Sequence, residues 1–150
     1  MGESKLIQEI IKLSVADIWE IAKCEWELIE IYFSDEPETC LCGHYPIIEL
    51  CEIRNKKNQK ITIVGNCCVN KFMGLPSEKI FQAVKRIRKD IDKSLNCEAI
   101  ELAYSKDWIN EWEYKFYADT LKKRLLTEKQ ASKRKQINEK ILLNINKERK

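Results

Sequence analysis

Cys40-Leu41-Cys42-Gly43-His44 opens a stretch that passes through Cys51 and closes on Val64-Gly65-Asn66-Cys67-Cys68, and it holds five of the chain's seven cysteines. Two cysteines one residue apart, followed by Gly43, suit a tight knuckle: glycine permits the positive backbone angle of the turn and leaves amides free to donate to thiolate sulfur. Pro46 to Ile53 and Lys60 to Val64 are β-branched runs joined by the polar Asn55-Lys56-Lys57-Asn58-Gln59, which reads as a hairpin. A period of two puts Ile47, Cys51 and Ile53 on one face of the first strand. Gly65-Asn66 ends the second strand. Cys67-Cys68 then begins a short helix that stops near Gly74, and the amides of a helix start stabilise a thiolate.

Outward from this centre, turn-formers vanish. Of four glycines and three prolines, all but Gly2 lie between Pro37 and Pro76, so the flanks read as helical arms. In the first arm Leu6, Ile7, Ile10 and Ile11, then Val15, Ile18, Ile21, Ala22, Leu28, Ile29 and Tyr32, recur at helical spacing. Ser14-Val15-Ala16-Asp17 has the form of a capping box, which predicts a short helix, a kink near Ser14 and a long helix to about Phe33. Beyond the centre, Pro76-Ser77 opens a helix with Ile80, Phe81, Val84 and Ile87 on its apolar side, and Asn96 caps the next. Trp108, Trp112, Phe116 and Leu121 form a further stripe. Thr127-Glu128-Lys129-Gln130 is a second capping box, and the last two helices are expected to form an antiparallel hairpin.

The composition, 44% hydrophobic and 34% charged over 150 residues, fits a globular chain and excludes a disordered one. An odd cysteine count without an export signal points to a reducing compartment and to metal ligation rather than disulfides. No uncharged apolar run approaches the roughly 18 residues of a membrane span, so a cytoplasmic chain with no membrane partner is expected. The formal charge of +3 conceals an asymmetry: residues 1–40 carry three Lys/Arg against ten Asp/Glu, and residues 111–150 carry twelve against six. The expected organisation is a single domain over residues 1–150, with an acidic helical arm (1–36), a metal module (37–76) and a basic helical hairpin region (77–150).

Knuckle, hairpin, then helix-borne ligand is the order of elements in treble-clef zinc fingers. The run from Cys40-Leu41-Cys42-Gly43-His44 through Ile53-Arg54-Asn55 to Val64-Gly65-Asn66-Cys67-Cys68-Val69-Asn70-Lys71-Phe72 resembles a zinc motif of uncharacterised phage and bacterial proteins, roughly CxCG, I-x-N, then VGxxCxxxF. The stretch from Trp108 through Tyr117 to Gln130 also looks like a helical hairpin that accompanies such motifs. The resemblance implies a mainly α fold with a small β-hairpin, in which a treble-clef-like zinc module is embedded between amphipathic helices. It brings no established activity. Under the VGxxC form the ligand set is Cys40, Cys42, Cys51 and Cys68, four thiolates closing a structural Zn2+ site. Cys67 is the adjacent alternative to Cys68, and His44 the alternative to Cys51. Cys24 and Cys97 read as core residues.

A closed thiolate site leaves no position for catalysis, the chain has one histidine, and no nucleophile elbow, Walker loop or dinucleotide fingerprint occurs. A binding protein rather than an enzyme is expected, with no small-molecule substrate. Lys56, Lys57 and Lys60 at the hairpin tip, Lys71 after the last ligand, and Arg86 and Lys89 on the next helix form a candidate phosphate-contacting surface. Tyr114 and Tyr117 are candidates to stack on bases. The competing reading is a protein-interaction or inhibitor module of a phage or mobile element, engaging a host complex through its acidic first helix.

Overall fold

A computed structural model describes residues Gly2 to Ile145; Met1 and residues 146–150, which carry part of the basic tail, lie outside the described residues. The described residues are about 53% helical with a small three-stranded antiparallel sheet, and the chain divides into two compact units, one through Glu78 and one from Lys79 onward. No helix among the described residues is long and apolar enough to cross a membrane.

The first unit begins with α1 (Gly2–Leu13), whose buried Leu6 and Ile10 stand one helical turn apart. A bend leads to the four-residue α2 (Trp19–Ala22) and a single 3-10 turn (Lys23–Glu25). Then come β1 (Trp26–Glu38), β2 (Ile47–Asn55) and β3 (Ile61–Gly65), paired in that order. Helix α3 (Asn66–Met73) follows β3 directly, packs on β2 and β3, and ends on Gly74 in the left-handed conformation (φ 70°). Ile31, Leu50, Ile53, Val64 and Val69 are buried in this unit.

The long first-arm helix is not formed. Its second half is β1, with Trp26 opposite Asn55 and Phe33 opposite Glu49. Trp26 to Phe33 consists largely of aromatic, β-branched and leucine side chains that fit a pleated surface, and the edge of β2 offers a row of backbone groups that a neighbouring strand satisfies. The register shifts between Leu28 and Glu30 and again after Phe33. Such irregularities interrupt the alternation of faces, so the apolar positions mimic a helical stripe. Val15, Ile18 and Ile21, read as core, are more than half exposed. The acidic residues ascribed to a helical arm are therefore divided between α1, the bend and β1.

Nor is Ser14 a cap for a second helix. Its hydroxyl donates to the Ile10 carbonyl (2.6 Å) and accepts from Trp26 Nε1 (2.9 Å). Glu25 does the work at the bend: its carboxylate accepts from the Val15 and Ala16 amides and from Asn55 Nδ2, each at 2.8 Å. Burial pushes the Glu25 pKa up, but the Asn55 amide, the two backbone amides and the charge of Lys57 outweigh it and hold the carboxyl below its usual value. Asn55 Oδ1 accepts from the Lys57 and Asn58 amides, and Asn58 Nδ2 donates to the Leu13 carbonyl, so the hairpin tip is fixed from below.

The second unit contains most of α4 (Ser77–Lys89), then α5 (Cys97–Ser105), α6 (Glu111–Thr120) and α7 (Glu128–Ile145). The expected caps are present: Asn96 accepts from the Ala99 amide, and Thr127 and Gln130 bond reciprocally. A further capping box joins Asn110 and Glu113. Glu113 pairs with Lys140, Tyr117 bonds Asn138, and Arg134 Nη2 donates to the Thr120 carbonyl. Partners that ascend on α6 descend on α7, which makes the two an antiparallel hairpin. Tyr117 is wholly buried, which removes it as a base-stacking residue.

Candidate metal centre

The knuckle forms where the sequence places it. The Gly43 amide donates to the Cys40 carbonyl (2.8 Å), and the Cys40 amide to the His44 carbonyl (2.8 Å). Gly43 has φ 93°, a conformation that costs a residue with a Cβ about 1–2 kcal/mol. At the far end of the hairpin, the Gly65 amide donates to Cys40 Sγ (3.3 Å). A Cβ on Gly65 would stand 3.2 Å from that sulfur and 3.0 Å from Ile47 Cδ1, so the glycine is required by the close approach of the knuckle to β3. Cys68 lies in the first turn of α3, and α1 starts beside Cys42, since a Cβ on Gly2 would lie 3.6 Å from Cys42 Sγ. Both helices thus bring their positive ends toward sulfur.

Cys40, Cys42 and Cys68 are buried, and their sulfur atoms all lie within 4.8 Å of one another, a group that could hold a metal ion. Cys40 Sγ and Cys68 Sγ are 3.8 Å apart. Two sulfurs each about 2.3 Å from one tetrahedral ion stand about 3.8 Å apart, so this pair already has the spacing of co-ligands. The pair is electrostatically tuned as well. The hydrogen bond with Cys68 lowers the Cys40 pKa; burial opposes this, and the Cys42 and Gly65 amides reinforce it. The same contact, together with burial, keeps the remaining proton on Cys68. Metal uptake displaces whatever protons the thiols carry.

Cys51, expected as the third ligand, is not part of the group. It sits within β2, paired to Ile31 on one side and Val64 on the other, and both ladders fix its backbone. It has no exposed surface, and burial pushes its thiol up to about 12, so it is a neutral core thiol. His44 and Cys67 also stand outside the sulfur group; both are exposed. Cys24 and Cys97, read as core, are exposed too.

A cavity of about 550 Å³ adjoins the group, bounded by its three cysteines, by His44 and by Glu49 and Glu78. Between those carboxylates Asn66 Nδ2 donates to Glu49 Oε1 and to Glu78 Oε2, each at 3.0 Å. Among the described residues, Asn66 Oδ1 is buried without a hydrogen-bond partner. Sequence reading passed over this trio because its members come from β2, α3 and α4; the only signal was a polar Asn66 where an apolar residue would otherwise follow a buried strand.

Of the candidate phosphate contacts, Lys56, Lys57 and Lys60 are exposed at the hairpin tip and Lys71 is exposed on α3, its ammonium 5.3 Å from the Phe72 ring centroid. Arg86 and Lys89 are exposed in the last turn of α4, in the second unit, with Arg86 Nη1 donating to the Ser94 carbonyl (3.2 Å). Trp112 is 59% exposed, stacked on Phe116 at 5.4 Å and covered on one side by Lys133 at 5.1 Å.

Comparison with protein-family models, curated proteins and solved structures gives no match to this chain.

Proposed function

We propose that the chain is a zinc-stabilised nucleic-acid-binding protein, whose treble-clef-like first unit is held by an ion on Cys40, Cys42 and Cys68. The observation that carries the reading is the buried sulfur group, with one pair already at 3.8 Å. An all-thiolate set is soft and suits Zn2+ among the common divalent ions. Cys40, Cys42 and Cys68 would bind the ion, while the Gly65 amide would orient Cys40. The ion would tie the knuckle to the start of α3.

Charge supports the nucleic-acid part. Residues 1–78 carry eight Lys/Arg against thirteen Asp/Glu, whereas residues 79–150 carry nineteen against eleven. In the second unit exposed Arg86 and Lys89, the exposed Lys122-Lys123-Arg124 run and the exposed Trp112 supply phosphate contacts and a stacking ring. In the first unit the fixed hairpin tip presents Lys56, Lys57 and Lys60 to solvent. Lysine dominates these positions, and its point charge favours phosphate over bidentate base readout.

Fluorescence anisotropy with unrelated duplexes and single strands at graded salt tests the reading. Similar affinities across sequences are expected, with a log–log salt slope of about −0.9 per phosphate neutralised on duplex. Reversing Lys56, Lys57 and Lys60 together to Glu should weaken binding to every sequence by similar factors and leave helicity intact. Absence of binding at low salt refutes the nucleic-acid reading.

A further inference from the structure

The sulfur group offers three ligands where a tetrahedral ion takes four. Among the described residues no other His, Cys, Asp or Glu joins the group, and the cavity of about 550 Å³ is bounded by all three cysteines. That volume lies in the range of small-molecule sites. Among the described residues, the charged side chains that line it are Glu3, Glu49 and Glu78. Three thiolates on a divalent ion add one further net negative charge. Glu49 and Glu78 are also fixed in place, each accepting from the amide of Asn66, which is only 4% exposed. Carboxylates held in this way meet a ligand without first being ordered. Asn66 Oδ1, unpartnered among the described residues, is one more acceptor beside them.

We propose that the fourth coordination position of the ion faces this cavity, and that the cavity binds a small cationic molecule bearing a soft donor, of the aminothiol class. The inference rests on the metal reading given above. The thiol of the ligand enters as thiolate, its proton passing to solvent, and the ammonium group lies toward Glu49 and Glu78, where opposite charge in a partly enclosed space attracts it more strongly than in bulk water. A neutral thiol of the same size gains the sulfur bond without the second contact. An amine without sulfur gains only the ion pair, which is weak by itself.

The test uses the full chain loaded with Co2+, whose visible d–d bands report its ligands. Cysteamine and 2-mercaptoethanol are titrated separately into wild type and into the Glu49→Gln/Glu78→Gln double variant. The bands of the wild type should shift saturably with both, and the preference for cysteamine should fall about tenfold in the double variant, which keeps its cobalt bands. Comparing the same two thiols in both proteins cancels their different acidities. His44→Ala and Cys67→Ser should leave the bands of the ligand-free protein unchanged. Bands that ignore both thiols, or that change when His44 or Cys67 is replaced, overturn the inference alone, since the chain then supplies its own fourth ligand. An unaltered preference in the double variant overturns the cationic assignment. A chain that takes up no cobalt overturns the metal reading and this inference with it.

Discussion

Replacing Tyr117 by Phe removes one oxygen from the second unit and leaves the ring in place. That oxygen donates to Asn138 Oδ1 at 2.7 Å and accepts the Leu95 amide at 2.8 Å, with no exposed surface on Tyr117. Asn138 Nδ2 in turn donates to the Ile91 and Lys93 carbonyls, each at 2.8 Å, so the hydroxyl joins α6 and α7 to the link between α4 and α5. Loss of one buried hydrogen bond costs about 1 kcal/mol net, and the Leu95 amide, left buried without an acceptor, costs about 1–3 kcal/mol more. The expected destabilisation is about 2–4 kcal/mol. With a urea dependence of about 2 kcal/mol per molar, the midpoint followed by far-UV circular dichroism should fall by about 1–2 M. The slope should not change, because the same surface is exposed on unfolding. A loss below about 0.5 kcal/mol would refute the reasoning, since it would mean that the Leu95 amide finds another acceptor.

Glu25→Gln should flatten the acid limb of stability. The folded pKa of Glu25 lies below its ordinary value of 4.5, so its stabilisation is present above that value and is lost as pH falls through the folded one. Thermal melts from about pH 6 to about pH 3 should show the gap between wild type and variant closing as pH falls; a constant gap would contradict the assignment. Gly65→Ala places a methyl 3.2 Å from Cys40 Sγ. It should weaken zinc binding, measured by competition with a chromophoric chelator, while Gly74→Ala, with nothing within 4 Å of its Cβ, should leave zinc affinity unchanged. Equal zinc affinities for wild type and Gly65→Ala would count against the packing of the knuckle on β3.

The elements that sequence reading placed well are those whose signals are local. Asn96 and Thr127 cap helices through bonds to residues three positions on, and Gly74 stops α3 by its own backbone angle. Strand β1 was misread because its identity depends on a partner, the edge of β2, and because register shifts broke its alternation. Three of the expected ligands converge because knuckle and helix start are local devices that the hairpin brings together. Cys51 does not, because cross-strand pairing with Ile31 and Val64, rather than its position in the motif, decides where its sulfur goes. Glu25 carried no sequence signal of its role: its partners Val15 and Asn55 are distant in the chain and become neighbours only after folding. The cavity beside the sulfur group was invisible for the same reason, since its walls come from separated segments.

The central claim is that Cys40, Cys42 and Cys68, and not Cys51, hold one ion. Metal content of the purified full chain, by inductively coupled plasma mass spectrometry, tests it directly when wild type is set beside Cys42→Ser, Cys68→Ser and Cys51→Ser. One zinc per chain is expected in wild type and in Cys51→Ser, with zinc lost from the other two. Zinc lost equally from Cys51→Ser, or no metal in wild type, would contradict the account.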